Sequence, residues 1–205
     1  SWADFFDTQK FPGKRGLRKG PKYSLEFALI ADGVKPSEVY EVLRTPEGVD
    51  RAFNKLQQIK PSIVWWEAGA QPLQMLTAGD VVMSSSYNGR ITGFNNTEGK
   101  NFKFLWDGSV SAIDSWTVLK GSANKAAAMD FIAFASKPEN QAKLPKFIAY
   151  GLTNKKANDL VPADLQAVLP TTPENLARSV PIDVDFWVEN IEPLTERFNA
   201  WVAQK

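Results

Sequence analysis

Short apolar runs and helical stripes alternate along much of the chain. Ile63–Trp66 and Val81–Met83 are continuously apolar, which is typical of strands in a sheet whose two faces are both covered by helices. Apolar residues on one face predict a helix over 21–31, ended by Gly33, and another over 72–78 that leads into the second of these strands. The alternation predicts an α/β fold.

A further helix is predicted to begin at Thr45. The threonine hydroxyl can cap a helix, Pro46 suits the first helical position, and Glu47 lies near the positive end of the helix dipole. The buried face of this helix is predicted to carry Phe53, Leu56 and Ile59.

Two more strands are predicted before the chain becomes mostly helical. Phe102–Trp106 alternates between apolar and polar residues and is followed by an Asp-Gly turn signal, and Thr117–Leu119 is a further short apolar run. Helices are then predicted over 124–135, from Lys137 to about 151, and from 171 onward. Apolar residues spaced three and four apart predict a terminal amphipathic helix, through Trp187, Val188, Ile191, Leu194, Phe198, Trp201 and Val202.

The first 22 residues are predicted to form a connecting segment and a loop. Trp2, Phe5 and Phe6 indicate that the segment up to Phe11 docks against a core. Five basic residues lie between Lys10 and Lys22, but glycines and prolines interrupt them, so a solvated loop is predicted there.

Composition excludes several classes of function. The 205 residues include no histidine and no cysteine, so most metal sites, thiolate nucleophiles and histidine-based triads are excluded. No metal or other cofactor is therefore expected. An enzyme that uses carboxylates such as Glu67 and Asp114 stays open as an alternative.

Charge and hydropathy exclude two kinds of partner. A net charge of +1, from 24 basic and 23 acidic residues, gives no electrostatic reason to bind nucleic acid. No apolar run reaches the roughly 18 residues needed to span a membrane, so the chain is not expected to be membrane-spanning. If the protein is exported, we expect the chain to begin after its signal.

Two charged residues follow predicted strand ends. Arg90 lies three residues after Tyr87, and Asp114 lies two residues before Trp116. Ligands of open α/β sheets bind at the carboxyl ends of strands. A cation, an anion and two aromatic rings suit a small molecule that carries both charges, so a binding protein for a zwitterion is predicted.

Seven short segments, in the same order, resemble the spermidine/putrescine-type periplasmic substrate-binding proteins of ABC transporters. The resemblance covers nearly the whole chain. The segments are Trp2-Ala3-Asp4, Trp65-Trp66-Glu67, Gly79-Asp80-Val81, Tyr87-Asn88-Gly89, Ile113-Asp114-Ser115, 126–134 and Tyr150-Gly151.

The resemblance implies a type II periplasmic-binding-protein-like α/β architecture, with two lobes that close on a ligand by a hinge. It implies that roughly a hundred residues, most of an N-terminal lobe, precede this chain in the whole protein. The implied divisions are a connecting segment at 1–10, ligand-binding lobe two at 11–113, a mostly helical hinge and remnant of lobe one at 114–180, and a closing helix at 181–205. Implied partners are an ABC transporter permease and the missing N-terminal lobe, in the periplasm.

The resemblance also implies roles for individual residues. In polyamine binders an aromatic ring stacks on the ligand at the position of Tyr87, an aspartate at the position of Asp114 holds an ammonium, and a tyrosine lies at the position of Tyr150. Acidic residues that those proteins carry near Tyr23 are replaced here by residues 20–23, Gly-Pro-Lys-Tyr. Tyr23 is retained as a candidate contact.

Arg90 is an unfavourable neighbour for a polycation and suits a carboxylate. Relative to the polyamine binders, one amine site is kept, one is removed and a carboxylate site is added. This combination predicts a short ω-amino acid such as 4-aminobutyrate. Trp65 and Trp66 point to opposite faces of their strand, and Trp66 is assigned to the cleft. Capture without chemistry is expected.

Other interpretations stay open. Arg90 could be a solvated arginine after a turn, which would favour a polyamine or other cationic-amine receptor. Asp114 could cap a turn through Ser115, and Tyr87 and Tyr150 could be core tyrosines.

Overall fold

A computed structural model describes residues 1–204 and divides them into two compact units. The first unit comprises residues 1–87, 105–110 and the chain from 178 onward, and the second comprises 88–104 and 111–177. Residues 88–104 and 111–113 of the predicted lobe at 11–113 belong to the second unit, and the functional lobe bounds stay a prediction. Within the described residues, no helix has both the length and the apolar character needed to cross a membrane.

The first unit is built on a three-stranded parallel sheet. Strand β1 (Arg15–Arg18) lies between β2 (Ile63–Trp66) and β3 (Met83–Ser84). Arg18 is aligned with Trp66, and Gly16 is aligned with both Val64 and Ser84. Because all three strands run in the same direction, their carboxyl ends meet at one edge of the sheet.

Helices pack around this sheet and form one hydrophobic core with it. Helix α4 (Pro46–Ile59) begins as its sequence predicts, because the Thr45 hydroxyl accepts a hydrogen bond of 3.0 Å from the backbone N–H of Gly48. The helices of the first unit are α1 (Trp2–Phe6), α2 (Ser24–Ala31), α3 (Val39–Leu43), α4 (Pro46–Ile59), α5 (Gln71–Ala78) and the terminal helix, Val184–Ala203; single 3₁₀ turns lie at Pro36–Glu38 and Lys60–Ser62.

The prediction of a solvated loop from Lys10 to Lys22 is wrong, because β1 is the central strand of the sheet. Arg15 is fully buried. Its guanidinium donates to the backbone carbonyls of Phe5 at 2.9 Å and Asp7 at 3.0 Å, and to that of Gly13 at 2.6 Å. Burial lowers the pKa of Arg15, but the three carbonyls satisfy its donors, so the charge is accommodated.

The second unit is mainly helical and has a small core of its own. Its buried residues are Ala142, Ala149, Leu152, Ala157, Val161 and Leu169. Its helices are α6 (Asn88–Glu98), α7 (Lys125–Ala135), α8 (Pro138–Gln141), α9 (Lys155–Asn158), α10 (Ala163–Gln166) and α11 (Pro173–Arg178), which ends in the first unit. The chain changes units at β4 (Val110–Ser111), which pairs with β5 (Val180–Pro181). The terminal helix is therefore α12.

The two strands predicted at Phe102–Trp106 and Thr117–Leu119 are absent, since both segments are irregular. The backbone N–H and carbonyl of Phe102 both bond to the side chain of Asn95, at 2.9 and 3.0 Å, and not to a neighbouring strand. The Leu119 side chain is exposed, so a strand at this position would gain little hydrophobic stabilisation from it.

The prediction of one helix from Lys137 to about 151 is also wrong, because only α8 and a 3₁₀ turn at Leu144–Lys146 form there. Pro145 has no N–H and cannot continue an α-helix through this segment. Helix α7 and the terminal helix α12 form as predicted. The α/β prediction is confirmed.

Candidate functional site

The carboxyl ends of the three parallel strands bring a set of polar and aromatic residues to one edge of the first unit. Arg18 ends β1, Trp66 ends β2, and Ser85 and Ser86 directly follow β3. The backbone N–H of Ser85 donates to the carbonyl of Gly16 at 2.9 Å, so the serine segment lies alongside β1. This is the edge where ligands of open α/β sheets bind.

The pairing register decides which face of the sheet each tryptophan occupies. Arg18 and Trp66 are aligned and share a face, whereas Leu17 and Trp65 share the opposite face. Trp65 packs edge-on against Phe198, with ring centroids 5.3 Å apart, in the core that α12 completes. Trp66 is the tryptophan on the Arg18 face.

Aromatic rings flank this strand edge. The rings of Trp66 and Tyr87 meet edge to face with centroids 5.8 Å apart. The Arg18 guanidinium lies 6.0 Å from the ring centroid of Tyr23, which is within cation–π range. Of the predicted contacts, Tyr23, Trp66 and Tyr87 therefore all lie at this edge.

Tyr23 holds an unusual backbone conformation immediately before α2. Its φ of +77° makes it the one non-glycine residue with a positive φ in the described chain. A bulky residue in this region is strained, and strain of this kind clusters at functional sites.

Four buried polar atoms at this edge have no hydrogen-bond partner among the described residues. They are Arg18 Nε, Trp66 Nε1, Ser85 Oγ and Ser86 Oγ, which we call the strand-end donor cluster. Leaving a buried donor unsatisfied costs about 1–3 kcal/mol, so four at one edge is an unusual concentration. The fifth such atom is Glu26 Oε2, which lies in the core.

Three of these four residues were not predicted as ligand contacts from the sequence. Arg18 was assigned to the solvated loop, and no role was given to Ser85 or Ser86. A signal was present in the run of three serines after the Val81–Met83 run, because polar residues that follow a buried strand lie at its carboxyl end.

Glu26 supports the helix that carries Tyr23 at its start. Its Oε1 accepts hydrogen bonds from the Tyr40 hydroxyl at 2.8 Å and from Trp187 Nε1 at 2.9 Å, which ties α2 to α3 and α12. Burial raises the pKa of Glu26, and burial beside this carboxyl also raises the pKa of Tyr40.

The remaining predicted contacts lie in the second unit. Arg90 is exposed in the first turn of α6, and Asp114 is exposed in the irregular segment after β4. Among the described residues neither side chain forms an ion pair, with the other or elsewhere. Both charges are therefore free for another partner.

Tyr150 lies against the beginning of α6. A methyl group on Gly89 would come within 2.6 Å of Tyr150 Cε1, and the Asn88 side-chain amide donates to the carbonyl of Ala149. The structure therefore brings Tyr150 close to the helix turn that carries Arg90.

Comparisons with known proteins agree with this architecture. Residues 1–171 match the family model of bacterial extracellular solute-binding proteins. The chain is 54% identical over 204 residues to the gamma-aminobutyric acid-binding protein of Pseudomonas aeruginosa PAO1, a match that covers 100% of the chain and 58% of that relative. The chain therefore spans less than two thirds of that relative's length.

Solved structures of other proteins also resemble this chain over nearly its whole length. The structure of the Atu4243 GABA receptor is 36% identical, with a TM-score of 0.85 over 100% of this chain and 62% of that one. The binding protein MotA from A. tumefaciens B6, in complex with glucopine, is also 36% identical, with a TM-score of 0.89 over 98% of this chain and 63% of that one. The predicted periplasmic-binding-protein-like fold is confirmed.

Proposed function

Because this chain belongs to the bacterial extracellular solute-binding protein family, we propose that the protein containing it captures a small ω-amino acid, 4-aminobutyrate or a close analogue, for an ABC importer. The observation that carries the proposal is the 54% identity, along the whole chain, to a protein named for binding gamma-aminobutyric acid. Gamma-aminobutyric acid is 4-aminobutyrate, the ligand class that the charged residues predict.

In the proposed complex Asp114 pairs with the ligand ammonium and Arg90 pairs with its carboxylate. Both side chains are exposed and free of ion pairs among the described residues. The position of Arg90 in the first turn of α6 adds the positive end of a helix dipole, which favours an anion by about 0.3–1 kcal/mol. Tyr150 lies beside that turn.

Tyr87 is proposed to offer an aromatic ring to a cationic ligand group at the strand edge of the first unit. A cation–π contact of this kind is worth roughly 1–2 kcal/mol when it is desolvated. Trp66 supports Tyr87 edge-on, and Tyr23 lies at the same strand edge. The captured solute is released unchanged, so no catalytic group is needed.

The whole protein is proposed to include an N-terminal lobe, a permease partner and a periplasmic location. Exposed apolar side chains in the second unit support a further lobe, because large apolar side chains left exposed in number commonly mark an interaction surface. Trp116 and Phe131 meet edge to face at 5.3 Å while each stays more than half exposed. Other exposed apolar side chains of the second unit are Ile113, Leu119, Met129 and Phe134.

Calorimetric titration of the full-length protein with 4-aminobutyrate tests the proposal. The parent is expected to bind, and Arg90→Ala is expected to lose at least about 10-fold in affinity, because a hydrogen-bonded charge pair is removed. Arg51→Ala is the matched control, since Arg51 pairs with Asp32 at the surface of the first unit. A parent that fails to bind 4-aminobutyrate contradicts the proposal, and an Arg90→Ala protein that matches the parent removes Arg90 from the site.

A carboxylate-dependent hydrolase or transferase is the alternative from another class. It would convert the ligand, whereas a receptor returns it intact. Mass spectrometry of 4-aminobutyrate recovered after incubation with the protein separates the two.

A further inference from the structure

We infer that the strand-end donor cluster binds the ligand carboxylate directly, with Arg18 as a carboxylate-binding arginine in the first unit. The inference rests on the proposed function and adds residues to its site. Its basis is that four residues with buried, unpaired polar atoms lie at the carboxyl ends of the three strands, the edge of a sheet where ligands bind.

The chemistry of these atoms selects an acceptor. Arginine Nε and indole Nε1 can only donate hydrogen bonds, and a serine hydroxyl can donate as well as accept. A carboxylate offers two oxygens with about four lone-pair positions, whereas an ammonium only donates. A carboxylate can therefore accept from every kind of donor in the cluster, and an ammonium cannot satisfy Arg18 or Trp66.

Among the described residues, no acidic side chain pairs with the strand-end donor cluster. Glu67, which follows Trp66, is exposed and pairs at 3.0 Å with Lys19, which follows Arg18. The Arg18 guanidinium also lies within cation–π range of the Tyr23 ring, and these contacts do not neutralise its positive charge. That charge repels a second ammonium and so disfavours a diamine.

The inference is compatible with a role for Arg90. Arg18 belongs to the first unit and Arg90 to the second, and each has its own assignment. The two assignments are separable because each arginine can be replaced alone.

The experiment compares 4-aminobutyrate with its neutral amide, 4-aminobutanamide, by calorimetry on the full-length protein. The two ligands share their ammonium and chain length, so the ratio of their dissociation constants reports on recognition of the carboxylate alone. The proteins compared are the parent, Arg18→Met and Arg197→Met. Arg197 pairs with Asp50 on the surface of the same unit and matches the change in charge.

The parent is expected to prefer the acid, and Arg18→Met is expected to lose at least about 10-fold of that preference, because a charge-assisted hydrogen bond is removed. Arg197→Met should keep the preference. If 4-aminobutyrate still binds and Arg18→Met keeps the full preference, the inference is overturned while the proposed function stands. A parent that binds no ω-amino acid overturns both.

A second variant guards against misfolding of Arg18→Met. Ser85→Ala combined with Ser86→Ala removes two donors that have no partner among the described residues. The melting temperature without ligand is expected to stay within a few degrees of the parent, since no protein hydrogen bond is lost. Affinity for 4-aminobutyrate is expected to fall several-fold or more, and unchanged affinity in this double variant would count against the inference.

Discussion

At the residue scale, the two arginines of β1 show how position decides the role of a charge. Arg15 begins the strand, is fully buried, and donates to three carbonyls of the N-terminal segment, so it holds that segment in place. Arg18 ends the same strand with its Nε buried and unpaired. The sequence shows both as members of one basic run, because the carbonyls that receive Arg15 are assembled only by the fold.

Glu26 makes the folded state sensitive to pH. Burial raises its pKa above the usual 4.5, so the buried carboxyl holds its proton to higher pH than it does in the unfolded chain. A carboxyl with a raised pKa in the folded state gives its full stabilisation below the unfolded pKa, and that contribution is lost as the pH rises through the folded pKa.

We therefore expect the free energy of unfolding of Glu26→Gln to depend less steeply on pH than that of the parent. As the pH rises from about 5 to about 8, the variant should become more stable relative to the parent. Urea denaturation of the full-length protein at several pH values measures this. Glu67→Gln is the control, because Glu67 is largely exposed. Parallel pH profiles for Glu26→Gln and the parent would show that the pKa of Glu26 is not raised in the folded state.

At the element scale, prediction succeeded where local signals were sufficient. Thr45 and Pro46 fix the beginning of α4, and Ile63–Trp66 forms β2 over the predicted residues. Strand β1 was missed because its four residues, Arg-Gly-Leu-Arg, contain a single apolar side chain. Its place at the centre of the sheet comes from pairing with two distant strands.

Helix α7 shows what a local sequence signal leaves undetermined. Its periodicity predicted the helix, but Met129, Phe131 and Phe134 are each at least half exposed. A pattern of apolar residues specifies a face to be covered and does not say what covers it.

Two helical glycines make a matched test of local packing. A methyl group on Gly48, in the first turn of α4, would lie 1.9 Å from the carbonyl oxygen of Val42, whereas one on Gly93, within α6, would meet no atom within 4 Å. Gly48→Ala is expected to lower the free energy of unfolding by about 2 kcal/mol or more, through a steric clash with the backbone.

Gly93→Ala is expected to be neutral or to raise the free energy of unfolding by up to about 1 kcal/mol, because alanine favours the helix. Urea denaturation of the two variants compares them directly. Equal effects would mean that the turn before α4 relaxes to admit the methyl group.

At the scale of the whole molecule, sequence patterns gave the α/β class, and the resemblance gave the solute-binding family; both hold. The candidate site was predicted only in part. Tyr87 and Trp66 were named and do meet, but Arg18, Ser85 and Ser86 were not, because their shared position at one sheet edge depends on the pairing of three strands distant in sequence. The assignments of Arg90 and Asp114 stay predictions.

The most direct measurement is a competition titration of the full-length protein with 4-aminobutyrate and putrescine. Each carries an ammonium on a four-carbon chain, and the other end is a carboxylate in one and a second ammonium in the other. We predict that 4-aminobutyrate binds at least about 100-fold more tightly, because the unpaired arginines favour an anion and repel a cation. Tighter binding of putrescine would contradict the account.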